Sequence, residues 1–351
     1  MILRPIYGHE AMLDRLVGAL ASSRFPQAVL FVGAPGVGKQ RLALWVAQGL
    51  LCSSGPGKPC GECGNCRQVL ALQHPDLHWF VPIERPKASD QQKQVEQAAE
   101  LLAEAMEERR KTPLYRRPGG MTSHSLAPIR VLQRIVAMKP FQGPRKVVIL
   151  GDAERLTVQA SSEEAANALL KVLEEPPDDT VIILTASEPQ ALLPTIRSRL
   201  VPMRTARVSD NAVRAFLERE LDPAPRGDAL ERRTLLAEGS IGRALWADEE
   251  GEAADRAAEE LLVAVSQGPG HWAQIALQQQ PWAARGDFSA TLDALSVKLR
   301  DGLARRSEAG DGMEKWVEAL RRVEETRAEA KRNVNPQLAL AVLASDLERL
   351  L

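Results

Sequence analysis

Long apolar runs are missing from this chain. None approaches the roughly 18 residues that a membrane-crossing helix needs, so no membrane span is expected. The first residues, Met1-Ile2-Leu3-Arg4-Pro5, lack the apolar core of a secretion signal, which makes a cytoplasmic setting the expectation. Aromatic residues amount to only 4%, too few to suggest a stacking platform for single-stranded nucleic acid. Excess charge is missing too: a net charge of −1 argues against coating nucleic acid by bulk attraction, although a local basic face stays open. Cysteine is rare, and all four cysteines fall between positions 52 and 66. Without a secretion signal, such clustering favours a metal site over disulfides.

What is present centres on Gly33-Ala34-Pro35-Gly36-Val37-Gly38-Lys39-Gln40. An apolar run, Ala28 to Val32, precedes it, and an apolar-periodic segment from Leu42 follows. Strand, Gly-rich turn and helix form the context of a phosphate-binding P-loop. The glycines let backbone N–H groups close around phosphate oxygens, the helix N-terminus adds its dipole, and Lys39 reaches the terminal phosphates. The pattern normally ends in Ser or Thr, whose hydroxyl holds Mg²⁺. Here Gln40 stands in that place, so Gly33, Gly36, Val37, Gly38 and Lys39 are candidate nucleotide-binding residues of a loop poorly equipped for metal.

Cys52 and the run Cys60-Gly61-Glu62-Cys63-Gly64-Asn65-Cys66 supply four thiolates, the complement of a closed tetrahedral zinc site. Such a site has no open position for water, so its expected role is structural.

The remaining pattern is that of a doubly wound α/β domain with a parallel sheet, ending near residue 205. Residues 10–22 show helical spacing. Leu77 to Val81, Lys146 to Leu150, Val181 to Leu184 and Leu200 to Met203 read as further strands, with helices over 129–138 and 165–175. After the strand at 146–150, where a hydrolysing P-loop enzyme places acidic residues, the chain reads Gly151-Asp152, so the first carboxylate is missing. Residues 84–123 are expected as a charged surface insertion carrying a helix to about Arg110. Past 205 no strand signal survives: 209–248 suggest a small helical domain, and 252 onward a helical bundle with breaks near 268–270, 281–286, 309–312 and 335–336.

Taken together, these pieces resemble a known family, the delta prime subunits of the AAA+ clamp loaders of bacterial DNA polymerase III. The resemblance rests on Tyr7-Gly8-His9-Glu10, the cysteine cluster directly after the P-loop, and His74-Pro75-Asp76. It continues through Asn167-Ala168-Leu169-Leu170-Lys171-Val172-Leu173-Glu174-Glu175-Pro176-Pro177, Leu193-Pro194-Thr195-Ile196-Arg197-Ser198-Arg199, and Gly239 to Leu245. It covers residues 1–250 in the family's order, while the last hundred residues fit by length and helical character alone.

The resemblance implies an AAA+ P-loop domain over 1–205, with a zinc module at 52–66 and the insertion at 84–123. A helical lid over 206–250 and an all-helical collar over 251–351 would follow. It makes Ser198-Arg199 the family's arginine-finger motif, with Leu200 in place of its Cys, and Arg199 the finger offered in trans to a neighbour's ATP. Arg243 matches the sensor 2 arginine, and Thr185-Ala186-Ser187 stands at sensor 1. The implied cofactor is structural zinc, with ATP and Mg²⁺ not bound productively. The implied partners are the gamma/tau and delta subunits and, through the assembled complex, the sliding clamp and primed DNA. An active gamma/tau-type ATPase and an unrelated zinc-bearing nucleic-acid module are the competing readings. Gln40 and Gly151 favour a non-hydrolysing subunit, because both metal-side functions are altered together.

Overall fold

Helices and strands alternate from the first turn of the chain to the Gly-rich loop and beyond it. The computed structural model describes residues 3–22, 25–55, 57–112, 122–157, 162–246, 249–279, 287–307, 313–330 and 334–351. Helix α1 (Glu10–Ala21) precedes β1 (Ala28–Val32), and the loop then opens α2 (Lys39–Leu51). Helix α3 (Gly64–Leu70) grows out of the cysteine cluster and leads to β2 (Leu77–Phe80). Next come α4 (Gln91–Lys111), α5 (Leu126–Ala137), β3 (Lys146–Leu150), α6 (Ser162–Glu174) and β4 (Thr180–Ala186). The short α7 (Pro194–Arg197) and β5 (Val201–Arg204) complete the alternation. Among the described residues only helices follow. They are α8 (Asp210–Glu220), α9 (Asp228–Ala237), α10 (Ile241–Trp246), α11 (Glu249–Gln267), α12 (Pro269–Gln278), α13 (Asp287–Ser307), α14 (Met313–Ala330) and α15 (Pro336–Leu350). The chain divides into two compact units, Met1–Ala244 and Leu245–Leu351.

The five strands form one parallel sheet in the order β2-β3-β4-β1-β5. Parallel neighbours need crossover connections, and the helices that supply them cover both faces, so the central strands read as unbroken apolar runs. Val147 to Leu150 and Val181 to Leu184 are fully buried. Lys146 is the exception within β3, and its ammonium is satisfied by the carbonyls of Ile135 and Met138. Strand β1 lies between β4 and β5, Leu30 pairing with Leu184 on one side and Pro202 on the other. The loops after β1, β3 and β4 therefore open at the same carboxyl edge, at the point where the chain order reverses, which is where such sheets bind ligands.

Two elements extend past the sequence reading. Strand β4 runs on from Leu184 to Ala186, because Thr185 and Ala186 pair with Phe31 and Val32 beneath the Gly-rich loop. Helix α4, expected on a solvated insertion, buries Val95, Ala98, Leu102 and Arg109 along one stripe. Arg109 lies over the Trp79 ring at 4.8 Å, and Arg110 donates to the Leu72 carbonyl. An alanine and an arginine supply half of that stripe, so hydropathy alone understates the burial. The loop reaching Gly120 and the breaks near 281–286 and 309–312 lie outside the described residues. The second unit has its own core, built from residues such as Ala258, Leu261, Leu292, Leu295, Leu340 and Leu343.

Candidate functional sites

The Gly-rich loop starts between two strands: Gly33 N–H donates to Ala186, and Thr205 N–H donates to Val32. Gly36 and Gly38 have φ of +75° and +96°, in the left-handed region that a side chain disfavours. The loop's carbonyls are taken from outside. Ser240 Oγ donates to Pro35 O at 2.8 Å, Gly242 N–H to Gly36 O at 2.9 Å, and His9 Nε2 to Val37 O at 2.7 Å. The N–H groups of Gly36, Val37 and Gly38 meet no acceptor among the described residues. A loop whose carbonyls are satisfied and whose N–H groups remain is a cradle for an anion. Lys39 is buried beneath it, donating to Gly33 O at 3.0 Å, Ala34 O at 2.8 Å and Ser187 Oγ at 2.9 Å. The N–H side of the loop thus fits an anion such as a phosphate group, with the Lys39 ammonium engaged by oxygens around the loop.

The metal side does not fit Mg²⁺. No hydroxyl stands at position 40 and no carboxylate at 151, and the Gln40 carboxamide lies against Gly151. Asp152 is buried and its N–H donates to Thr185 Oγ1 at 3.1 Å, so the Thr185 hydroxyl is engaged with backbone. His124, from the far end of the insertion, donates through Nε2 to Gly151 O at 2.7 Å. Burial pushes its pKa down to about 4. Neither histidine contact, that of His9 or of His124, had marked itself in the sequence, because each partner is a backbone carbonyl distant in the chain.

Among the described residues Arg243 meets the loop indirectly, through Ser240. Its N–H donates to Ser240 Oγ, while its guanidinium is paired with Glu238 at 2.6 Å, a carboxylate that also takes Arg207. Helix α10 can sit this close because both surfaces are bare: a Cβ on Gly242 would lie 2.6 Å from Gly36 Cα. Arg199 sits apart from these groups. Its guanidinium pairs with Glu174 and donates to Thr195 O at 2.8 Å, and Ser198 Oγ donates to the same carbonyl at 3.0 Å. Both residues are exposed, and none of these partners belongs to the loop.

The four cysteines do converge. Their sulfurs all lie within 4.8 Å of one another, with Cys52–Cys60 at 3.6 Å, Cys60–Cys66 at 3.8 Å and Cys52–Cys63 at 4.0 Å. A tetrahedral ion with sulfur ligands at about 2.3 Å requires sulfur–sulfur edges of about 3.8 Å. Cys63 N–H donates to Cys60 Sγ and Cys66 N–H to Cys63 Sγ, the backbone support that thiolates at successive C-x-x-C turns require. The Ser54 hydroxyl and the N–H groups of Cys63 and Glu62 hold the Cys60 thiol below its ordinary value. Burial raises Cys66. The donor set fits a tetrahedral metal ion.

The His74-Pro75-Asp76 motif braces this module. The Asp76 carboxylate accepts from the N–H groups of Phe141, Gln142 and Gly143, and Gln142 in turn donates to Asn65 between the last two cysteines. His74 Nδ1 accepts from Asp76 N–H. Burial pushes Asp76 up, but those three N–H groups outweigh it and hold the carboxyl below its usual range.

Residues 8–209, more than half of the chain, match the family described as DNA polymerase III, delta subunit. A relative from Escherichia coli (strain K12), DNA polymerase III subunit delta', is 30% identical over 294 residues, 83% of this chain and 75% of that one. The chain belongs to the DNA polymerase III delta prime family. The Bacillus subtilis (strain 168) delta' protein is 30% identical over 213 residues, 60% of this chain and 52% of its own length, so the match spans about half of that relative. DNA polymerase III subunit tau of Escherichia coli (strain K12) is 30% identical over 68% of this chain and 31% of its own. A solved gamma-subunit-related protein from Thermotoga maritima covers 97% of this chain and 98% of its own at 16% identity and a TM-score of 0.39, a loose superposition.

Proposed function

We propose that this chain is a non-hydrolysing delta prime subunit of a bacterial clamp loader, which offers Arg199 to the ATP site of a neighbouring subunit. In this reading residues 1–205 are the AAA+ domain, 206–250 the lid and 251–351 the collar that joins the ring. Cys52, Cys60, Cys63 and Cys66 hold one structural zinc. Gamma/tau and delta are the ring partners, and the sliding clamp and primed DNA are met through the assembled complex, in the cytoplasm.

The observation that carries the reading is a division of labour within one chain. Its own phosphate loop lacks both metal-side residues, while Ser198-Arg199 is kept and exposed on side chains bound to no part of that loop. An exposed guanidinium is available to charge developing on another subunit's phosphoryl group. Supplying the finger in trans ties hydrolysis to correct assembly.

The relatives named tau make an active ATPase the competing reading. Purified chain mixed with candidate gamma/tau and delta should co-elute as one complex, and the chain alone should turn over no ATP above background. A chain that ignores both partners ends the clamp-loader reading; turnover abolished by Lys39→Ala installs the motor instead.

A further inference from the structure

We propose that Gln40 and Gly151 are one coupled site that keeps a divalent cation out of the phosphate loop, so that the loop takes the phosphates of a nucleoside di- or triphosphate without metal. The two positions lie 111 residues apart, yet their losses interlock. A Cβ on Gly151 would stand 2.9 Å from Gln40 Oε1 and 3.0 Å from its Cδ and Nε2. Contacts that close require the carboxamide, the far end of a flexible side chain, to move aside, so glycine at 151 lets it rest where it does. An acidic side chain at 151 would displace the Gln40 carboxamide from this position.

The displaced volume is the metal's. In a hydrolysing P-loop the cation sits between the residue after the lysine and the carboxylates that end the neighbouring strand. Mg²⁺ demands near-octahedral oxygen at about 2.0–2.1 Å and keeps several waters. Here a neutral carboxamide fills that gap, and its Oε1 is buried with no hydrogen-bond partner among the described residues. The phosphate side is unchanged, with the N–H groups of Gly36, Val37 and Gly38 unclaimed and Lys39 buried below. A site with an intact cradle and a plugged metal pocket selects phosphate alone.

This deepens the non-hydrolysing reading, but its test uses the isolated full-length chain, so its failure leaves the ring-assembly experiment untouched. Fluorescent ADP and ATPγS are titrated in buffers with and without Mg²⁺. Chelator is omitted so that the cysteine cluster is undisturbed. Wild type should bind with affinities that agree within about twofold in the two buffers, and Lys39→Ala should lose binding. In the double variant Gln40→Thr, Gly151→Asp, Mg²⁺ should tighten binding by about tenfold or more, about 1.4 kcal/mol. Tightening of that size in wild type overturns the proposal, and so does the absence of binding in either buffer.

A thermal-melting cycle tests the interlock without ligand. Gly151→Ala should lower the melting temperature more in the Gln40 background than in Gln40→Thr. Equal losses in both backgrounds remove the coupling.

Discussion

Helix α2 joins two candidate sites, with the phosphate loop at its start and Cys52 as the residue after its end. The cysteine site is complete: four sulfurs at tetrahedral spacing, supported by N–H donors and braced by the Asp76 turn. The phosphate loop is half a site, retaining the anion cradle and the buried lysine but with the Gln40 carboxamide against Gly151 where metal-side groups would stand. One helix thus joins a complete donor set to a loop without metal-side ligands. A metal that holds structure tolerates no missing ligand, because its binding energy is folding energy. In the proposed role hydrolysis is left to a neighbour, so no catalytic metal is required here.

The sharpest way to break this contrast is to remove a ligand from the complete side. Cys63→Ser should reduce bound zinc from about one per chain to near none by elemental analysis. Structural zinc contributes on the order of 10 kcal/mol in small domains, so the module and α3 should lose protection in hydrogen exchange before the sheet does. A preparation of wild type that folds normally without metal would show that the cysteine geometry is held by packing alone.

The next largest effect tests where the chemistry has gone. Arg199→Ala should leave folding, zinc content and ring assembly nearly unchanged while single-turnover hydrolysis at the adjoining site falls on the order of 10³-fold. Arg199→Lys should rescue poorly, since an ammonium lacks the planar fork, and Arg197→Ala should matter less. Equal rates for wild type and Arg199→Ala would make this arginine structural.

Much of this contrast could be read in the sequence, and what could not has a common cause. The P-loop, the cysteine spacing and the buried runs of β3 and β4 are local patterns, fixed by turn chemistry and by strands covered on both faces. Gln40 and Gly151 each stood out as departures, but their contact spans the sheet and leaves no local trace. The same holds for Glu174 beside Arg199, Glu238 beside Arg243 and His124 beneath Gly151. Helix α4 misled for another reason: its buried stripe is made partly from alanine and from an arginine stem.

His124 gives a smaller, pH-dependent handle on the phosphate-loop side. Its native pKa is about 4, against roughly 6.5 when unfolded, so between those values the unfolded chain binds a proton that the native chain refuses. Its contribution is therefore full above about pH 6.5, falls as pH drops, and levels off below about 4. Its full extent is on the order of 3 kcal/mol. Burial pushes His78 down to about 4 as well, adding to the same window, whereas the depressed Asp76 carboxyl contributes stability lost only at lower pH. His124→Gln should flatten the decline in melting temperature between pH 7 and 4. An unchanged slope would mean that His124 is not held neutral.

The smallest effect concerns the contact that holds Arg199 in the isolated chain. Its partner Glu174 ends α6, and both side chains keep about a third or more of their exposure, so the pair is worth no more than about 1 kcal/mol. That contact must be exchanged when the guanidinium turns to a neighbour's phosphates, because one fork cannot satisfy both carboxylate and phosphoryl oxygens. Glu174→Gln keeps the shape and removes the charge. In the assembled loader it should raise single-turnover hydrolysis at the adjoining site by up to about fivefold, the rate equivalent of about 1 kcal/mol. Salt should narrow the difference: the pair is in direct contact, so screening bites only as the Debye length falls from about 10 Å at 0.1 M toward about 3 Å at 1 M, and wild type and variant approach each other over that range. If Glu174 instead positions Arg199 productively, the variant slows hydrolysis at all salt concentrations. A lower melting temperature with an unchanged rate would make the pair a structural tie. The sign of a small rate change thus separates a finger held in reserve from one held in place.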